Sequence, residues 1–235
     1  MKTKYLIICT YRTGSTLLCD LIHRQYGLTN YNEYLTSFDN KSRPSILETG
    51  KLSDLETFTA ETNKRVNFLN QSDNWIVKIP AVNPSYFYME FIQQCKKDPA
   101  VEIIFLYRKD IVAQLLSSFN ASYRRILLQR PSNVFTKDTI VPTYEKIELN
   151  ERTVHGVLVA HSRRLVMWRM MYDLYGEGCK LLSYEDNILN FDLKCLGIEQ
   201  NASDFIKTPH SAPLSQDIWY RSVDFINQYK YTVDI

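Results

Sequence analysis

A surplus of charge is the first thing this chain lacks: 28 Lys and Arg against 26 Asp and Glu leave a formal +2 over 235 residues. So close a balance excludes bulk electrostatic attachment to nucleic acid, and any anion site has to be local. Long apolar runs are also missing. Nothing approaches the roughly 20 consecutive apolar residues of a membrane span. The basic start Met1-Lys2-Thr3-Lys4 precedes an apolar stretch, 5–9, that is too short for a signal peptide. Tyr11-Arg12 breaks it, and no small-residue cleavage site follows. A cytoplasmic location is therefore expected. The five cysteines, Cys9, Cys19, Cys95, Cys179 and Cys195, form no CxxC pair and no Cys/His metal pattern. Cys9 and Cys179 fall in expected strands, as reduced core thiols. Internal repeats, low-complexity tracts and interdomain linkers are absent, so residues 1–235 read as one domain, long enough for a sizeable core.

Apolar, β-rich runs alternate with helical patterns. The runs are 5–9, 75–79, 101–107 and 179–183, each nearly continuous, as in strands covered on both faces. Helical spacing is read over 15–26, 54–71, 84–97, 110–129 and 150–175. This alternation predicts parallel βαβ units with right-handed crossovers, an α/β fold with a central, mainly parallel sheet flanked by helices. The stripe Val157, Leu158, His161, Leu165, Trp168 and Tyr172 on the last helix reads as core rather than a dimer face. Pro, Asn and Ser thicken around 30–43 and 131–142, which read as long loops of the kind that form lids or binding segments.

Two segments carry chemistry. The first strand runs into Thr10-Tyr11-Arg12-Thr13-Gly14-Ser15-Thr16 and then a helix opening Leu17-Leu18. A helix N-terminus presents backbone N–H groups and the positive end of a dipole, which together suit an oxyanion. Gly14 permits a tight turn and close backbone approach. Ser15 and Thr16 add hydroxyls, and Arg12 adds a forked, delocalised charge. The pattern is not a Walker A loop, because the first Gly and the Lys after Gly14 are missing. In the second segment the third strand ends at Arg108, where open α/β sheets bind ligands. Asp110 is suited to cap the next helix. On that helix Ile111, Leu115 and Phe119 form an apolar stripe, with Ala113, Gln114, Ser117 and Ala121 on a smaller, more polar face. Ser117 is thus better placed to meet a ligand than Ser118. A nucleoside triphosphate has one contiguous phosphate chain and a metal held by acidic residues. Here the third strand ends in Tyr107-Arg108-Lys109, which repels a cation, so a donor with two separate anionic groups and no required metal fits better.

With these residues the chain resembles the sulfotransferases that use 3′-phosphoadenylyl sulfate (PAPS), above all the bacterial enzymes acting on trehalose and related carbohydrates. Those share an Arg-Ser-Gly-Ser-Thr-Leu-Leu core, similar to Arg12-Thr13-Gly14-Ser15-Thr16-Leu17-Leu18. The clear match covers about 5–22 and 101–119. It implies a P-loop-like three-layer fold and sulfuryl transfer from PAPS to an acceptor hydroxyl on a carbohydrate or glycolipid, without a metal. Under it, Arg12, Thr13, Gly14, Ser15 and Thr16 hold the 5′-phosphosulfate, while Arg108 and Ser117 hold the 3′-phosphate. Many members place that Ser eight residues after the Arg, where this chain has Leu116; Ser118 is the other candidate. Asn30-Tyr31-Asn32-Glu33-Tyr34-Leu35 resembles the segment that carries the proposed base of the carbohydrate enzymes, and Glu33 is the matching position. The rival base is one of His23, His155, His161 and His210. The late Gly-rich phosphate segment of the animal cytosolic enzymes is absent; residues 207–221 are the candidates to replace it. Ser183-Tyr184-Glu185-Asp186 echoes a strand-to-helix junction of many members and is assigned a structural role, with Glu185 or Asp186 capping.

Lys78 is a charge inside the apolar run Trp75-Ile76-Val77-Lys78-Ile79-Pro80. It is expected either at the strand's carboxyl end, neutralising the transferring group, or snorkelling at a sheet edge. The expected partner is a small-molecule or carbohydrate acceptor, with no nucleic acid and no membrane span, and with a homodimer left open. The competing readings are a P-loop kinase or nucleotide hydrolase, a non-catalytic bisphosphate-binding homologue, and a purely structural domain.

Overall fold

A computed structural model describes residues 2–35, 52–81, 86–111, 113–115, 117–118 and 151–198. The chain divides into two compact units. One comprises Met1–Lys109 and Arg163–Gln200, the other Asp110–Ser162 and Asn201–Ile235.

The first unit is built on β1 (Lys4–Cys9), α1 (Ser15–Tyr26), β2 (Thr29–Asn32), α2 (Leu52–Gln71), β3 (Trp75–Pro80), α3 (Tyr86–Lys97), β4 (Val101–Tyr107) and β5 (Lys180–Ser183). The helix α4 (Glu151–Tyr175) precedes β5, and a π-helical turn, Tyr184–Leu189, follows it. The five strands form one sheet in the order β2-β3-β1-β4-β5, and every adjacent pair is parallel. The predicted α/β architecture, a parallel sheet flanked by helices, is thus the observed one. Two expectations need correction. The loop foreseen from residue 30 begins instead with the edge strand β2, and Cys179 lies just before β5 rather than in it.

Strand parity assigns the two faces. Leu6 and Ile8 of β1, Trp75, Val77 and Ile79 of β3, and Val101, Ile103 and Phe105 of β4 share one core with Phe91 and Ile92 of α3 and with Trp168 and Met171 of α4. Successive side chains on a strand point to opposite faces. Ile7, Ile76, Lys78 and Ile104 therefore face the other way, toward α1, whose Leu18, Cys19, Leu21 and Ile22 are buried. The Trp168 indole donates to the Ile8 carbonyl at 3.3 Å and stacks on Tyr172 with ring centroids 5.5 Å apart. Leu165 and Trp168 are both buried, consistent with a core stripe on α4.

The strand order makes β1 the switch point. Chain segments after β1 go to β2 and β3 on one side, and later segments to β4 and β5 on the other. Ligands of open parallel sheets bind in the crevice outside the carboxyl ends of strands where the order reverses. The loop 10–16 leaves β1 at that crevice.

Candidate functional site

The loop 10–16 is folded by its own backbone. Arg12 has φ +64° and Gly14 φ +77°, both left-handed. That conformation is unrestricted for glycine and costly for arginine. Gly14 caps α1, and its carbonyl accepts the first helical hydrogen bond from Leu18 N–H at 3.0 Å. No side chain makes an N-terminal cap bond on this helix. The N–H groups of its first turn have no intrahelical partner. Thr13 turns inward: its hydroxyl donates to the Thr10 carbonyl at 2.9 Å, and the side chain is fully buried. Ser15 is also buried, beside the Cys9 thiol. Burial pushes that thiol up, and the Ser15 hydroxyl and Lys78 charge pull it partly back. Among the predicted loop donors, Thr13 and Ser15 thus spend their hydroxyls inside the fold.

Lys78 does not sit at a sheet edge. It lies in β3, between β2 and β1, in register with Ile7, and is 6% exposed. Parity sends it toward α1, where Nζ donates to Thr16 Oγ1 at 2.7 Å. The same Nζ lies 3.4 Å from Glu33 Oε1. Glu33 directly follows β2, so it is anchored to the sheet rather than to a free loop. Three residues singled out from sequence, Thr16, Glu33 and Lys78, are therefore gathered across the carboxyl ends of three neighbouring strands.

Arg108 follows β4 on the other side of the loop. Its Nη1 donates to the Arg12 carbonyl at 3.3 Å. Its Nε lies 3.5 Å from Glu185 Oε1, an ion-pair contact without hydrogen-bond geometry. The guanidinium packs over the Tyr184 ring, 4.5 Å from its centroid. Glu185 also accepts the Lys109 backbone N–H at 2.8 Å, and Asp186 pairs with the Lys109 ammonium. That hydrogen bond raises Lys109 and lowers Asp186 from their ordinary values. Two expectations change. The basic end of β4 is compensated by Glu185 and Asp186, so it does not by itself repel a cation. Ser183, not Glu185 or Asp186, caps the π-helical turn: its hydroxyl accepts Asp186 N–H at 3.0 Å.

In the second unit Asp110 caps its helix as expected, accepting Ala113 N–H at 2.8 Å. Gln114, on the face expected to be the more polar, is buried. Ser117 is half-buried, whereas Ser118 is buried with its hydroxyl donating to the Gln114 carbonyl at 3.0 Å. His23 meets the Leu28 carbonyl on the far end of α1, and His161 is buried. His155 has no side-chain description, and His210 and 207–221 lie outside the described residues.

Sequence reasoning missed Arg164, whose guanidinium lies 4.6 Å from the Tyr11 ring centroid. Burial pulls Arg164 below the usual guanidinium value, and Tyr11 partly offsets this. It also missed the partnership of Glu185 with Arg108. No sequence signal links Glu185 to Arg108, 77 residues before it, although the Tyr-Glu-Asp run itself stood out. Among the described residues, no group of three His, Cys, Asp or Glu is gathered as a metal would need, and no helix is long and apolar enough to cross a membrane.

The fold and site together define a parallel α/β architecture with the N-terminus of α1 at its switch point. No protein-family model matches the chain, and no curated protein matches it in sequence. Solved structures resemble it at a distance. A shikimate kinase from Acinetobacter baumannii in complex with shikimate is 13% identical, covers 98% of this chain and 96% of its own, and has a TM-score of 0.45. The sulfotransferase domain from the curacin biosynthetic pathway is 14% identical over 86% of this chain and 76% of its own, with a TM-score of 0.38. A retinol dehydratase in complex with retinol and PAP is 15% identical over 98% and 67%, with a TM-score of 0.40.

Proposed function

We propose that this chain is a single sulfotransferase-like domain that moves a sulfuryl group from PAPS to an acceptor hydroxyl, on a carbohydrate or glycolipid. The observation that carries this is the meeting of Thr16, Lys78 and Glu33 beside the N-terminus of α1. The Thr16 hydroxyl lies 2.7 Å and the Glu33 carboxylate 3.4 Å from the Lys78 ammonium. The donor set fits PAPS: first-turn N–H groups, the Arg12 and Lys78 charges and the Thr16 hydroxyl all favour a phosphosulfate.

PAPS would supply an electrophilic sulfur and a bisphosphate leaving group. Arg12, Gly14 and Thr16, with the Thr13 and Ser15 backbone, hold the 5′ end. Arg108 holds the 3′-phosphate, as in the family the sequence resembles. Lys78 offsets charge on the oxygens around the reacting centre. Glu33 accepts the proton of the attacking hydroxyl. The reading requires no metal.

Calorimetric titration with adenosine 3′,5′-bisphosphate tests the donor. The wild type should bind saturably at one site, and Arg12→Ala should abolish that binding. Tight binding retained by Arg12→Ala would sink the loop assignment, and magnesium-dependent ATP turnover by the wild type would replace PAPS with a nucleoside triphosphate. Glu33→Gln should lower sulfate transfer far more than bisphosphate affinity. Near-normal transfer would move the base elsewhere.

A further inference from the structure

Arg12 is held in a conformation that costs an L-residue energy, so something in the fold has to fix it. A contact that reaches it from outside the loop is Arg108 Nη1, on the Arg12 carbonyl. Arg108 is in turn fixed from two directions by consecutive residues of the π-helical turn. Tyr184 supplies its ring face at 4.5 Å, and Glu185 supplies a carboxylate 3.5 Å from Nε. Glu185 grips the base of Arg108 again by accepting the next residue's N–H at 2.8 Å. The turn itself is locked, because Ser183 caps it and Asn187 Oδ1 accepts Ser183 N–H at 2.9 Å. Tyr184 also abuts the other left-handed residue of the loop: a Cβ on Gly14 would stand 2.8 Å from its Cδ2.

We infer that Glu185 is a positioning residue, which holds Arg108 on the Arg12 carbonyl and so keeps the anion-binding loop in its left-handed, donor-presenting form. Glu185 touches no substrate in this scheme; it acts through Arg108. The inference rests on the loop being the binding element of the proposed function, but the loop's conformation can be measured without any ligand.

The test is amide hydrogen exchange on wild type, Glu185→Gln and Arg108→Lys, each as the full chain. Glu185→Gln keeps an acceptor for Lys109 N–H and removes the charge that grips Arg108. Arg108→Lys keeps the charge and removes the fork that reaches Arg12. Both should speed exchange across residues 11–16 about tenfold, the order expected when one charge-assisted contact is lost, while amides of β1, β3 and β4 keep their wild-type rates. Bisphosphate affinity should fall by a similar factor. Unchanged loop exchange in Glu185→Gln overturns the inference. So does acceleration spread evenly over loop and strands, which is the mark of general destabilisation. If the wild type binds no bisphosphate, the donor assignment fails, and the exchange result still decides the role of Glu185.

Discussion

Replacing Gly14 by Ala tests the loop most directly, because two independent costs converge there. The first is backbone: φ +77° lies in the left-handed region, where a Cβ costs about 1–2 kcal/mol. The second is space. The new Cβ would stand 2.8 Å from Tyr184 Cδ2 and 3.0 Å from Ile188 Cγ2. The Tyr184 ring is not free to swing clear, since Arg108 packs over it at 4.5 Å. Ile188 is fully buried. Overpacking of this kind costs about 1–3 kcal/mol. The sum is about 2–5 kcal/mol, a fall in Tm of about 4–20 °C for a chain of this size. Urea unfolding of wild type, Gly14→Ala, Tyr184→Ala and the double variant separates the two costs. Removing the ring should relieve the clash and leave the backbone cost, giving a coupling energy of about 1–3 kcal/mol. A coupling indistinguishable from zero, or a Gly14→Ala cost below about 0.5 kcal/mol, the level of an ordinary surface change, would show that the loop does not press on the π-helical turn as described.

Two further outcomes are expected. Lys78→Met removes one partner of the pair with Glu33, so stability should fall by about 3–5 kcal/mol, while under the proposed function sulfate transfer by the folded variant drops about a hundredfold or more for want of the charge; thermal melts and a transfer assay decide it, and retained transfer excludes Lys78 from the reaction. Asp98 is held below the ordinary carboxylate value by the Ala100 N–H it accepts at 2.9 Å and by its bond to Lys4 at 3.1 Å. A depressed folded-state value stabilises above the unfolded pKa, so Asp98→Asn should be the less stable protein above about pH 5, and the two should converge as pH falls below the ordinary Asp value of about 3.9; a difference independent of pH in urea titrations would refute the charge argument.

The strands were legible because the sheet is covered on both faces. β1, β3 and β4 are near-continuous apolar runs; β4 has the expected bounds, and β1 and β3 are each longer by one residue at an end. β2 was not legible. It is four residues long, reads Thr-Asn-Tyr-Asn, and pairs with β3 alone at the sheet edge, so neither burial nor periodicity marks it. Asn30 spends its side chain on Asp20 and on Asn32 N–H, which makes a polar strand serviceable there. The Tyr-Glu-Asp run was visible but its use was not. A cap can be read from neighbours in sequence, and Ser183 three residues before Asp186 N–H is such a neighbour. A brace on Arg108 depends on β4 and β5 lying side by side, which is tertiary information.

The same distinction explains why Lys78 could be noticed without being understood. A charge in an apolar strand has two readings, edge or interior, and they differ only in strand order. Once β3 lies between β2 and β1, the edge reading is closed. Parity then leaves a single direction, because Val77 and Ile79 occupy the core shared with α3 and α4. Lys78 is thereby delivered to the α1 face, at the level where Thr16 opens the helix and Glu33 closes β2. A shift of one residue in β3 would put the ammonium into that core and a valine against Thr16. The loop of β1 is therefore held from both neighbouring strands, by Lys78 at Thr16 from β3 and by Arg108 at Arg12 from the end of β4. Both holding groups are cations, and each is matched by a carboxylate from a more distant strand end, Glu33 after β2 and Glu185 after β5. An anion entering the crevice competes with those carboxylates for the same charges, so its binding should weaken with salt in proportion to the contacts it takes over.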